Sequence, residues 1–229
     1  MKRNLITIKK VGMFMENKIE AIILFAKQKL AADKTGHNMD HLTRVANMSQ
    51  KLSSHYHVNE FITISAAYLH DVIDDKLVSD PKEALADINN FLIQLEIDKN
   101  TINQIIEIIT HMSYSSTLEH DYPLSLEGQI VQDADWLDAI GAVGIMRAIY
   151  FGGHHGITIY DPTINPRTNM TKKDIRDFSR ETVINHFYEK LLLIKDKLNT
   201  KEAKKIAAHR QEIMLQFLND FKSEWDAQS

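Results

Sequence analysis

Cysteine is absent from all 229 residues. Disulfides, thiolate nucleophiles and cysteine-ligated zinc or iron–sulfur sites are thereby excluded, so any metal must be held by nitrogen and oxygen. Glycine and proline are scarce, 8 and 4 in the chain, and they cluster. Pro123 and Gly128 flank one junction; Gly152, Gly153, Gly156, Pro162 and Pro166 crowd another. The long intervals between them carry helical periodicity and few strand-like alternations, which predicts an all-α fold. A basic surplus is also missing. The net charge is −4, which gives no reason to expect nucleic acid as a partner. Apolar runs are short: residues 21–26 form one of the longest, far below the roughly 18 residues of a spanning helix. Residues 5–8 are interrupted too soon by Lys9 and Lys10 to make a signal sequence. A cytoplasmic protein with no membrane partner is expected, and a homodimer stays open.

Length is sufficient for one sizeable core, and no repeat or linker divides it. Residues 1–15 are expected to form a loosely held extension and 16–229 a single domain. Amphipathic spacing predicts helices over 16–32 (Ile19, Ile22, Ile23, Ala26, Leu30), from His37 to about His55, and over 59–75. Asp80-Pro81 reads as an N-cap followed by proline at the first helical position. Further helices are expected up to His111, over 124–141 and 142–151, and over 172–198 and 200–226. Residues 152–170 read as a long loop, a length that in compact domains is usually functional or disordered.

Within this frame one stretch stands out. His70-Asp71-Val72-Ile73-Asp74-Asp75 ends an apolar run whose positions 62, 66, 69, 72 and 73 fit a buried face. Ionised or ligating groups sunk among apolar residues are costly unless paired or bound to metal. His41, His70, Asp71 and an aspartate of the 133–138 cluster supply two imidazoles and two carboxylates. Such a set suits one divalent cation (Mn²⁺, Mg²⁺, Fe²⁺, Co²⁺ or Ni²⁺) with positions left for water and substrate. Neighbouring side chains in mid-helix diverge by about 100°, so Asp71 must reach the site from a helix end or a kink.

The pattern His41 … His70-Asp71 … Asp135 resembles the HD superfamily of metal-dependent phosphohydrolases, and a small bacterial subgroup of it in particular. The features that carry the likeness are His37-x3-His41-x2-Arg44-Val45, Leu69-His70-Asp71, and Glu127-Gly128 with Asp133-Ala134-Asp135-x-Leu137-Asp138-Ala139-Ile140-Gly141. They span about 20–155. The resemblance implies a helical HD fold, Asp135 as the fourth metal ligand, and Asp133 and Asp138 as supporting or capping groups. It also implies a phosphate ester as substrate, a nucleotide above all. His70-Asp71-Val72-Ile73-Asp74-Asp75 is similar, too, to the His-Asp-x-x-Glu-Asp run of alarmone hydrolases. That likeness assigns water and proton handling to Asp74 and Asp75, with aspartate here one methylene shorter than the glutamate.

Four other residues are candidates for phosphate contact. Arg44 and Lys76 read equally as charge clamps or as members of a solvated face. His37 lies one turn before His41 and either lines the pocket or caps its helix. His111 closes the isoleucine helix and offers a phosphate contact or a ligand for a second metal. A triphosphate brings about four negative charges, and Arg44, Lys76 and the cation can offset them, which favours cleavage to pyrophosphate. The alternatives are a nucleoside monophosphate phosphatase, an alarmone hydrolase, a di-iron oxygenase with extra histidine ligands, and a non-catalytic metal-bearing regulatory module.

Overall fold

A computed structural model describes residues 2–31, 38–74, 78, 80–120, 122–175 and 177–228, with side chains from Met15 onward. The described chain is helical, as its periodicity requires. Its one β feature is an isolated parallel bridge between Thr158 and Thr182. No described helix is long and apolar enough to cross a membrane. The chain packs as two compact units, 1–112 with 124–131, and 113–123 with 132–229.

The first unit contains α1 (Lys2–Lys29), α2 (Met39–Ser53), α3 (Glu60–Leu69), a 3-10 turn (His70–Ile73), α4 (Pro81–Gln94) and α5 (Lys99–His111). Helix α1 begins at Lys2, well upstream of the expected residue 16, so its backbone is helical through the stretch read as an extension. Helix α3 is the centre of the unit and packs against α1, α2 and α5. It is buried almost all round because Ser65, Ala66 and Ala67 are small enough to admit neighbouring helices closely. Ile22, Leu42, Leu52, Ile62, Leu69, Ile88 and Ile105 complete the core.

Polar caps fix where these helices start. Asn38, Asn59, Asp80 and Asp98 each accept hydrogen bonds from backbone N–H groups of the first turn, with Pro81 at the first position of α4. Each such cap is worth about 1 kcal/mol.

The second unit receives the end of α6 (Leu126–Asp138) and contains α7 (Gly141–His154), α8 (Lys172–Ile175), α9 (Val183–Glu189), α10 (Ile194–Lys197) and α11 (Lys201–Trp225). The single helix expected over 172–198 is broken into short pieces. Local side chains compete for the backbone there: Asp174 accepts from Thr171 N and Oγ1, Asp177 from Ser179 N, and Thr182 from Asn185 N. Lys190, at φ −139° and ψ −58°, ends α9 before a 3-10 turn over Leu191–Leu193. The expected loop at 152–170 begins later, because α7 runs through His154.

Asp133 holds this unit together. It is fully buried, and its carboxylate accepts from Asn199 N (2.8 Å), Asn199 Nδ2 (2.9 Å), Thr200 N (2.7 Å) and Thr200 Oγ1 (2.7 Å). Thr200 Oγ1 in turn accepts from Ala203 N and caps α11. Burial pushes the Asp133 carboxyl above the usual carboxylate range, while the four donated bonds pull it down. With both oxygens committed to Asn199 and Thr200, Asp133 supports the cap that Thr200 places on α11. Replacing Asp133 by Ala leaves those donors buried and unanswered, so a loss of about 2–4 kcal/mol is expected. Urea unfolding with an unchanged m-value should show it as a lowered midpoint; a midpoint within error of wild type would deny Asp133 this role.

Candidate metal centre

The local geometry at His70 follows from a change of helix type. Helix α3 stops at Leu69, and residues 70–73 wind as a 3-10 turn closed by Asp74 N donating to Asp71 O at 3.1 Å. This is the helix end that the adjacent His-Asp pair demands. The last carbonyls of an α-helix lack intrahelical donors, and the Ala67 carbonyl takes its hydrogen bond from His70 Nδ1 at 2.9 Å.

A carbonyl can only accept, so Nδ1 carries the hydrogen. In the neutral ring Nε2 then presents a lone pair. That lone pair faces Asp71 Oδ1 at 3.2 Å, while the other carboxylate oxygen, Oδ2, lies 3.3 Å from His41 Nε2. The two imidazole rings are 5.4 Å apart and inclined at 71°. His41, His70 and Asp71 are 1 %, 8 % and 6 % exposed.

Electron-rich atoms at such distances repel unless a cation or protons lie among them. A neutral His41 with its hydrogen on Nε2 answers Asp71 Oδ2 alone, and His70 Nε2 still faces Oδ1. A divalent cation satisfies all three donors at once. Two nitrogens and a carboxylate oxygen also match the nitrogen-and-oxygen ligand set that a cysteine-free chain must use. The trio therefore fits a divalent metal.

The remaining candidates fall in three groups. Arg44, half-buried, stands one turn beyond His41 on α2; Asp74, half-buried, ends the 3-10 turn; and His111, half-buried, ends α5, which packs against that turn. All belong to the first unit. Asp135 is half-buried on the part of α6 that belongs to the second unit. Asp138 is buried and paired with Arg147 Nη1 at 3.1 Å. His37, Asp75 and Lys76 lie outside the described residues.

One group with a positioning role was not picked out from the residues alone. The Ala67 carbonyl fixes the tautomer of His70, and a backbone oxygen leaves no trace in side-chain pattern.

A helical fold that gathers a His-Asp pair and a second histidine into one buried corner defines an HD-domain protein, and the chain belongs to that family. The family profile described as HD domain matches residues 38–140. Among solved structures, a Lactobacillus plantarum protein is 46 % identical, covering 93 % of this chain and 98 % of its own, with a TM-score of 0.85. YpgQ of Bacillus subtilis, in a crystal structure with ADP, is 33 % identical over 92 % of this chain and 96 % of its own, with a TM-score of 0.74. An HD-superfamily hydrolase from Bacillus thuringiensis is 37 % identical over 93 % and 99 %, with a TM-score of 0.72.

A metal test follows from the corner itself. Protein stripped with a chelator and then given Mn²⁺ at 100 times its Kd should gain about 2.7 kcal/mol. For a chain of this size that is a rise in Tm of about 5–10 °C. His70→Ala and Asp71→Ala should abolish the rise. If both variants keep it in full, the metal binds elsewhere.

Proposed function

We propose that this protein is a divalent-metal-dependent phosphohydrolase acting on nucleotides, with cleavage of a nucleoside triphosphate to monophosphate and pyrophosphate as the favoured reaction. The observation that carries the proposal is the orientation of His70. A histidine turned by the Ala67 carbonyl so that its lone pair meets Asp71 and His41 is prepared for a cation before any arrives. ADP bound to YpgQ supports a nucleotide as the ligand.

In this reading His41, His70 and Asp71 hold the ion, with Asp135 as the fourth ligand. When bound, the ion polarises a phosphoryl oxygen and lowers the pKa of water. The protein's own groups do the rest. Asp74 exchanges a proton with the attacking water or the leaving oxygen, at a carboxylate one 3-10 repeat beyond Asp71. Arg44 offsets charge on the phosphate tail, and His111 donates a hydrogen bond to a phosphate oxygen. His37 and Lys76 join as further phosphate contacts, and Asp75 stands in for Asp74 if the water approaches from its side. Exclusion of bulk water by the apolar walls of α2, α3 and α5 strengthens each of these interactions.

Nucleoside mono-, di- and triphosphates incubated with Mn²⁺, Mg²⁺, Co²⁺ or Ni²⁺, with products resolved by chromatography, test the reaction. Pyrophosphate and nucleoside monophosphate from a triphosphate are expected. Inorganic phosphate from monophosphates, with triphosphates untouched, would replace the favoured reaction with monoesterase action. Asp74→Asn should lower kcat by about 10²–10⁴-fold at unchanged metal content. Asp135→Ala should lower metal content and activity together. A fully active Asp74→Asn enzyme transfers the proton role to another group.

A further inference from the structure

The second unit gathers two lysines and a tryptophan around one tyrosine. Tyr114 is buried, and two lysines converge on its ring, Lys190 Nζ at 5.0 Å and Lys197 Nζ at 5.4 Å from the centroid. The two ammonium groups thus lie within about 10 Å of each other, one Debye length at 0.1 M salt, where like charges still repel. A single cation over an aromatic face is favourable. A second on the same ring adds repulsion without adding a ring.

Their convergence has a backbone cause. In an unbroken α-helix, positions 190 and 197 would share a face but stand about 10 Å apart along the axis. The break at Lys190 and the 3-10 turn after it let both side chains reach one ring.

Trp136 meets the same tyrosine, edge to face, with ring centroids 5.5 Å apart and planes inclined at 63°. The indole is 4 % exposed, and its Nε1–H has no acceptor among the described residues. Indole can only donate, so this buried N–H can take an acceptor that the described residues do not supply. Around one phenol ring the chain has therefore gathered two cations and a buried donor.

We propose that Lys190, Lys197 and Trp136, assembled on Tyr114, form an anion subsite that takes a phosphate group of a polyphosphate ligand. Lysine serves there as a point charge and the indole as a neutral donor. The phosphohydrolase reading supplies the identity of the anion, a nucleotide tail or pyrophosphate, while the subsite itself rests on the cluster. Trp136 lies on α6, which therefore supplies one wall of the subsite.

The chain has two tryptophans, and Trp225→Phe leaves Trp136 as the sole indole. That protein, with EDTA present, is titrated with inorganic pyrophosphate and with ADP while emission and heat are followed. A saturable change in Trp136 emission is expected, and binding should weaken at least 10-fold in the Lys190→Gln/Lys197→Gln protein. The Lys190→Arg/Lys197→Arg protein should recover most of the affinity, because charge and not shape is at stake. Equal affinities for the two probes mean that the subsite reads phosphate alone; tighter ADP binding means that the nucleoside adds contacts. No saturable emission change overturns the proposal, as does unaltered affinity in the glutamine protein. Should the glutamine protein fail to fold, the titration of the Trp225→Phe protein decides alone. Saturable binding without turnover of any nucleotide upholds the subsite and sinks the phosphohydrolase reading instead.

Discussion

The hydrogen bond from His70 Nδ1 to the Ala67 carbonyl is the contact on which the metal corner depends. It exists because α3 ends one residue before the histidine and leaves a carbonyl in want of a donor. Were the α-helix to continue, that carbonyl would be spoken for, and Asp71 would turn away from its neighbour by a hundred degrees or so. Ending the helix solves both problems with one backbone change. The 3-10 turn that follows is short, as such turns generally are, and it holds the pair that needs it.

Helix α3 can afford so abrupt an end because the rest of it is secured by burial. Small residues at 65–67 let α1, α2 and α5 close around it, so the backbone from which His70 and Asp71 project is fixed by its neighbours. His41 arrives from α2, whose start is set by Asn38. Two rigid helices with defined ends are thus enough to bring two sequence-distant histidines onto one carboxylate. Preorganisation of this kind places donors before the ligand comes, so less of the binding energy is spent on ordering them.

Much of this was legible in the sequence because it rests on local chemistry. Helical periodicity, the Asp80-Pro81 start and the apolar run before His70 report the same residues that later form caps and core. The demand that Asp71 come from a helix end also followed from residue geometry alone. What escaped is what depends on competition. Residues 172–198 have the spacing of one helix, yet Asp174, Asp177 and Thr182 draw backbone N–H groups to their side chains and divide it. Asp133 and Asp135 are two residues apart in one acidic cluster. Only the folded chain, by setting Asn199 and Thr200 against Asp133, tells this supporting group from its neighbour. Long-range pairing of this kind leaves no period to read.

Arg167 has a consequence of another sort. Its backbone N–H and its Nε and Nη2 bond the buried Glu189 carboxylate, while Nη1 donates to the carbonyls of Asp174 and Asp177. One planar side chain therefore fastens the loop at 167 to the end of α9 and to the backbone of Asp174 and Asp177. Mutational tolerance in this region should be sharply uneven. Exposed positions here that make no side-chain bond can drift in sequence, whereas exchange of Arg167 for lysine removes a fork that an ammonium cannot replace. A designer wishing to graft a new loop here has to keep this arginine and the glutamate that receives it, along with the local aspartates that turn the backbone.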